Sequence, residues 1–241
     1  MKTTVRRILS ATLLTLLVFC AGTIFIRSAN AQSPELQQRL AEINESTARN
    51  KQALASYSWL EVVTISLKGE QKKQQHFQVR LGPDFTPQKT SLDPPDDAAP
   101  QGGRLKQHVV AKKKEEYADY AEQMKALAGQ YVPPDKDRLQ QAFAQGNISL
   151  GPAGGAPNEL QLVIRNYLKP QDSMTLVFDR AQKQLLRIQI ASYMDNPKDA
   201  MNFMVQFSRL PDGTNHVSNL VIDGVQKQLN IAIQNSNYQH V

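Results

Sequence analysis

From Glu159 to the end of the chain, apolar residues recur at every second position in six successive runs separated by turn-forming residues. Leu160, Leu162 and Ile164 open the pattern, followed by Met174, Leu176 and Phe178, then Leu186, Ile188 and Ile190. Met201, Phe203, Val205 and Phe207 make the fourth run, His216, Ser218, Leu220 and Ile222 the fifth, and Leu229, Ile231 and Ile233 the sixth. A period of two is the spacing of one face of a β-strand. The links "KPQD", "DRAQK", "MDNPKD" and "LPDGT" are short and rich in turn residues. Links this short join antiparallel neighbours, because a parallel pair needs a crossover of about a dozen residues or more. Nearer the N-terminus, residues 57–67 ("YSWLEVVTISL") and 75–81 ("QHFQVRL") read as a hairpin around "KGEQKK". The pattern predicts about eight strands in one antiparallel sheet.

The sheet is apolar on both faces. Tyr57, Trp59, Val63, Ile65 and Leu67 point one way, Leu60 and Val62 the other, and Val163, Tyr167, Val177, Leu185, Ala191, Tyr193, Met204, Val217 and Val221 repeat the second set downstream. One apolar face is enough for a core. The second implies either helices on one side with a sheet curling on itself, or a cavity lined by these residues and lidded by a helix. Helices are available. Ser33-Pro34-Glu35 starts one that keeps Leu36, Leu40, Ile43 and Leu54 near one face. Residues 105–129 carry a stripe of Tyr117, Tyr120, Met124 and Leu127 that continues to Tyr131, and a short helix runs from Pro134-Asp135 to near Gly146. Residues 82–103 hold five prolines and three glycines with no apolar period, and read as a flexible loop. Asp96 and Asp97 within it lack a rigid, desolvated setting and read as solvated. "GPAGGAP" at 151–157 reads as a second connector. The class is α+β, an incomplete antiparallel β-barrel with helices over one face, and residues 32–241 form a single domain.

Residues 1–31 stand apart. Lys2, Arg6 and Arg7 precede the apolar stretch 8–26, and Ala29-Asn30-Ala31 offers a small-x-small cleavage site, the pattern of a cleavable secretory signal. The competing reading is an uncleaved anchor, since the stretch is just long enough to span a bilayer. Cys20 is the only cysteine and follows Phe19 rather than a small residue, which argues against lipidation. Cleavage after Ala31 leaves no thiol and no disulfide framework. It also removes Lys2, Arg6, Arg7 and Arg27, taking 28 bases to 24 against 22 acids. The net charge falls from +6 to +2, and with it the electrostatic case for a nucleic-acid partner. The run "AKKKEE" at 111–116 carries its own neutralising acids and reads as a solvated helix face. No membrane span is expected after cleavage.

Catalytic patterns are absent: no G-x-S-x-G, no H-E-x-x-H, no phosphate-binding glycine loop and no calcium loop. His76, His108, His216 and His240 are scattered, without a second histidine or a cysteine at ligand spacing. His76 and His216 fall on strands, where a surface or cross-strand role is expected, and Glu61 and Asp179 read as solvent-facing or turn residues. No cofactor or metal is implied.

The element order, together with "NKQALASYSWLEVVTISLKG" early and "LPDGTNHVSNLVID" followed by "KQLNIAIQNSNYQ" late, resembles the LolA-like family of periplasmic lipoprotein carriers and outer-membrane lipoprotein-sorting proteins. The resemblance implies a periplasmic or secreted, non-enzymatic protein. Its half-barrel would be covered on the apolar concave side by helices and would accept an acyl chain or lipoprotein. Trp59, Val63 and Phe77 are then the candidates on the sheet, and Tyr117, Tyr120 and Met124 those on the lid. Arg80, at the end of the second strand, is the candidate for the carriers' functional arginine. The insertion at 82–103 and the length of the 105–129 helix depart from a minimal carrier. Two alternatives stand beside this one: an envelope scaffold or sensor that binds another protein by a sheet edge or loop, and an enzyme with a dispersed site.

Overall fold

The computed structural model describes residue 45 and residues 48–94, 104–132 and 134–241, with backbone only for 104–111 and 136. The expected secretory segment 1–31, the expected helix start at Ser33 and the Asp96–Asp97 pair lie outside the described residues. Helix α1 is described over residues 48–54. Helices α2 (Arg104–Gly129) and α3 (Lys136–Ala144) follow the opening strands. Ten strands form one sheet: β1 (Tyr57–Leu67), β2 (Glu70–Leu81), β3 (Pro87–Ser91), β4 (Ile148–Pro152), β5 (Glu159–Arg165), β6 (Ser173–Asp179), β7 (Gln184–Tyr193), β8 (Ala200–Arg209), β9 (Asn215–Gly224) and β10 (Leu229–His240). Their order is β3-β2-β1-β10-β9-β8-β7-β6-β5-β4, every neighbouring pair is antiparallel, and the sheet stays open between β3 and β4.

The α+β class and the incomplete barrel stand; the strand count of eight does not. The stretch 82–103 was expected to be loop throughout, yet it contains β3, whose five residues are all exposed. Main-chain pairing with β2 alone makes it a strand, and side-chain periodicity does not reveal such an edge. The second missed strand, β4, takes Gly151-Pro152 from the expected connector 151–157, residues tolerated there because it is the opposite edge. Strand β2 also begins at Glu70, inside the expected turn, because its first five residues are exposed and polar.

Three residues expected on the second face, Tyr167, Leu185 and Val217, belong to the helix-covered core, Leu185 and Val217 because register shifts between Val177 and Phe178 and between Gln206 and Phe207 reverse the alternation there. Register aligns the apolar positions into continuous rows. One row runs Ile148, Ile164, Met174, Ile190, Phe203, Ile222, Ile231 and Ile65 across eight strands. The next runs Leu150, Leu162, Leu176, Ile188, Val205, Leu220, Ile233 and Val63. Directly opposed β-branched and aromatic pairs of this kind stabilise a sheet by roughly 0.2–1 kcal/mol each. Helix α2 lays Tyr120, Met124, Leu127 and, just past its end, Tyr131 on this face, and α3 adds Leu139 and Ala142. Met124 is fully buried, a contribution of about 1.5–3 kcal/mol on its own. Gly224 at the end of β9 permits that approach, since a Cβ there would lie 2.7 Å from Tyr120 Cε1 and 2.9 Å from Met124 Sδ.

A buried polar knot fixes the C-terminal side of α2. The Asp172 carboxylate, 2 % exposed, accepts the backbone N–H groups of Tyr167 (2.6 Å), Leu168 (2.9 Å) and Lys169 (2.8 Å). Tyr131 donates its hydroxyl to the same carboxylate at 2.6 Å and meets Ser192 Oγ at 2.7 Å. Burial and the Asp172 bond hold the Tyr131 phenol well above its ordinary range. Asp135 caps α3 by accepting from the Arg138 N–H at 2.9 Å.

Candidate functional site: the half-buried end of the helix-covered face

The buried residues of α2 gather at one end of the strands, beside Gly224, Met201 and Asp172. Toward the other end the same face stays apolar but is only partly buried: Val63, Ile233, Leu220, Phe207, Leu185 and Leu160 pack against the core without being enclosed by it. Helix α1 reaches the sheet at this end, where Asn50 Oδ1 accepts from the Asn215 N–H at 3.0 Å and Lys51 lies 5.1 Å from the Phe85 ring centre.

Beyond that apolar floor stands a polar and aromatic wall. On β1, Trp59, Glu61 and Val63 share a face by alternation, and their partners Val79 and Phe77 on β2 share it too. Glu61 is buried and ion-paired with Lys89 of β3, whose Nζ lies 5.8 Å from the Phe77 ring centre. The expectation that Glu61 faces solvent is thus corrected; its place between Trp59 and Val63 was the available signal. Trp59 stacks on Tyr238 with centroids 5.4 Å apart, and the His216 ring lies 4.1 Å from Tyr238. Tyr57 donates to Asp212 at 2.7 Å. Burial, with the Glu61 carboxylate second, raises the Tyr238 phenol, and burial lowers His216 below its ordinary 6.5.

This wall sits at a seam. Strand β10 pairs with β9 only as far as Gln234 and Asn219; beyond that it pairs with β1 alone. Side chains close the gap, because Asn235 Nδ2 and the Tyr238 hydroxyl both donate to the Val217 carbonyl at 3.1 Å. Trp59 Nε1 and Asn235 Oδ1 are buried with no hydrogen-bond partner among the described residues, as is Arg187 Nε on β7. Orphaned buried groups like these are uncommon in folded proteins. No group of three or more His, Cys, Asp or Glu among the described residues is placed to hold a metal ion.

The expected site residues separate into three places. Trp59, Val63 and Phe77 come together on the helix-covered face of β1 and β2. Tyr120 and Met124 lie at the opposite end of the strands, packed on Gly224. That end is the one where Leu67 pairs with Leu229 and Leu229 with Gly224, and Leu67 is roughly 25 Å along β1 from Trp59. There Tyr120 donates to Asp199 at 2.6 Å, and Lys227 Nζ sits 4.6 Å from the Tyr120 ring centre, 5.9 Å from that of half-buried Tyr117 and 3.1 Å from Glu116. Arg80 is exposed on the other face, beside a cleft of about 280 Å³ with Ser58, Gln78, Gln88 and Thr90. Sequence reasoning missed Tyr238, Asn235 and Lys89. Only the closing "NSNYQH" run, continuing the strand pattern past Ile233, pointed to the first two.

No protein-family model matches the chain, and no curated protein matches its sequence. Among solved structures it is similar to a DUF1329 family protein from Desulfovibrio piger, at 11 % identity over 83 % of this chain and 92 % of that one, with a TM-score of 0.39. It is also similar to a LolA superfamily protein from Nitrosomonas europaea, at 8 % identity over 85 % and 93 %, TM-score 0.36. A third is an outer membrane lipoprotein-sorting protein domain from Vibrio parahaemolyticus, at 6 % identity over 85 % and 90 %, TM-score 0.35. No helix among the described residues is long and apolar enough to cross a membrane.

Proposed function

We propose that this chain is a periplasmic or secreted, non-enzymatic protein that holds an acyl-bearing or otherwise apolar ligand, in the service of lipid or lipoprotein trafficking. The observation that carries the reading is the passage of the second cross-strand row from full burial at Leu162, Leu176, Ile188 and Val205 into half-burial at Leu220, Ile233 and Val63, with Phe207, Leu185 and Leu160 half-buried farther along the same face. A ligand chain laid there continues the core. Each buried methylene contributes about 0.8 kcal/mol, so ten give ~8 kcal/mol before the entropy of binding is subtracted. Trp59, Val63 and Phe77 form the sheet wall of the site, and the orphaned Trp59 Nε1 and Asn235 Oδ1 mark the end where a polar head belongs. Tyr117, Tyr120 and Met124 anchor the helix that closes the far end. Arg80, on the other face, takes no part.

The test is purification of the secreted chain without detergent, followed by mass spectrometry of solvent-extracted material. Stoichiometric lipid, or uptake of a fluorescent acyl probe that Val63→Asp abolishes while the far-ultraviolet spectrum is unchanged, supports the reading. A lipid-free chain that refuses the probe refutes it. The scaffold reading draws on β3, an edge strand exposed at all five residues, to which a protein partner adds a strand. A lipid-free chain with a partner crosslinked along Pro87–Ser91 supports that alternative.

A further inference from the structure

The face of the sheet that carries no described helix holds a groove of about 430 Å³, within the ~300–1,000 Å³ of small-molecule sites. Two adjacent cross-strand rows of β6, β7, β8 and β9 line it. Ser173, Ala191, Asn202 and Asp223 form one row, and Thr175, Gln189, Met204 and Val221 the other. Small residues at Ser173 and Ala191 give the groove its depth. Its five hydrogen-bonding side chains, Ser173, Thr175, Gln189, Asn202 and Asp223, have no hydrogen-bond or ion-pair partner among the described residues. Asn202 and Asp223 are directly opposed across β8 and β9 and still do not bond each other. One row away on the same face, Asn219 Nδ2 does donate to Gln206 Oε1, at 3.2 Å, so cross-strand bonding is available to this surface.

The chemistry of the lining narrows the ligand. A phosphate or other anion is disfavoured, since the lining has no Lys or Arg and carries the Asp223 carboxylate. One carboxylate is too few for a dedicated cation site. An acyl chain is disfavoured because polar groups interrupt both rows. What remains is a compact neutral ligand that both donates and accepts hydrogen bonds on one edge and presents C–H groups on its face. We propose that this groove binds a neutral saccharide. Paired hydroxyls meet the Asp223 carboxylate and the Asn202 and Gln189 amides, and the ring face lies on Ala191, Met204 and Val221.

Saturation-transfer NMR on the full chain after signal removal tests this, with maltose, cellobiose and N,N′-diacetylchitobiose as probes. Transfer to at least one of them is expected, with affinity falling about tenfold in Asp223→Ala, since a hydrogen bond to a charged group is at stake. Ala191→Trp, which fills the groove without removing a polar group, abolishes transfer while leaving acyl-probe uptake on the opposite face unchanged. No transfer from any of the three probes overturns the proposal. So does transfer that survives both substitutions, which would place the sugar elsewhere, and so does a peptide that displaces the sugar from the groove with higher affinity.

Discussion

Replacing Asp172 by alanine tests how the packed end of the molecule is held. Its carboxylate accepts three backbone N–H groups and the Tyr131 hydroxyl, all at 2.6–2.9 Å. The segment it organises contains Asn166 and Gln171 at φ 52° and 67°, a left-handed conformation that non-glycine residues adopt at some cost. Tyr167 is buried, so its N–H loses a partner that water cannot replace, a penalty of about 2 kcal/mol. The Leu168 and Lys169 N–H groups belong to partly exposed residues, and about 0.5–1 kcal/mol each is appropriate once water reaches them. Tyr131 keeps its bond to Ser192 and adds little. The expected loss is therefore ~3–4 kcal/mol, a large part of a typical 5–15 kcal/mol total. Urea unfolding followed by circular dichroism reads this as a midpoint lowered by about 1.5–2 M at a slope near 2 kcal/mol/M, with the slope unchanged. Tyr131→Phe, which removes one donor and leaves the turn intact, should cost only about 1 kcal/mol. An Asp172→Ala loss below about 1 kcal/mol, or one equal to that of Tyr131→Phe, would refute the view that the carboxylate holds the turn.

Two further outcomes are expected. Gly224→Ala places a methyl 2.7 Å from Tyr120 Cε1 and 2.9 Å from Met124 Sδ, so α2 must shift, at a cost of about 1–3 kcal/mol by thermal or urea unfolding; wild-type stability would show that α2 does not pack there. Burial depresses His216 in the folded state, so between that lowered value and the unfolded 6.5 the unfolded chain binds more protons and stability rises with pH. Stability should fall as pH drops below 6.5, in a window above the one where the depressed carboxylates Asp84, Asp93 and Asp212 titrate, below 3.8. His216→Gln should flatten the upper window, and an unchanged slope would assign it to other groups.

Much of this architecture is legible from local pattern. Six of the ten strands announce themselves by alternation after Glu159, and Asp135 and the stripe from Tyr120 to Tyr131 give the helices. What is not legible has a common cause: it depends on partners distant in sequence. Strand β3 is "PQKTS", five exposed residues that only the hydrogen bonds of β2 make a strand. Glu61 reads as a surface acid until Lys89 arrives from that same strand to pair with it. Gly224, in "IDGVQ", looks like an ordinary turn glycine; only the approach of Tyr120 and Met124 shows what it accommodates. The grouping of Trp59, Val63 and Phe77 follows from strand alternation and pairing. Their separation from Tyr120 and Met124 does not, because a helical stripe says which face is buried and not where along a strand it lands.

That separation follows from the dimensions of the elements. Helix α2 meets the end of β9 through Tyr120 and Met124, and the loops beside β6 and β7 through Tyr131, so it lies across the strands and not along them. A helix with its side chains is about 10–12 Å wide, whereas strands of ten residues, such as β7, β8 and β9, are roughly 33 Å long. One crossing helix therefore covers about a third of the strand length, and short α3 packs beside β5. Apolar side chains nevertheless continue on this face at Val63, Ile233, Leu220 and Phe207, only partly buried. Of the described helices, only α1 reaches this end, through Asn50 and Lys51. The apolar side chains end at a seam held by the side chains of Asn235 and Tyr238 instead of by main-chain pairing, and it is on this half-buried stretch that the proposed apolar-ligand reading rests.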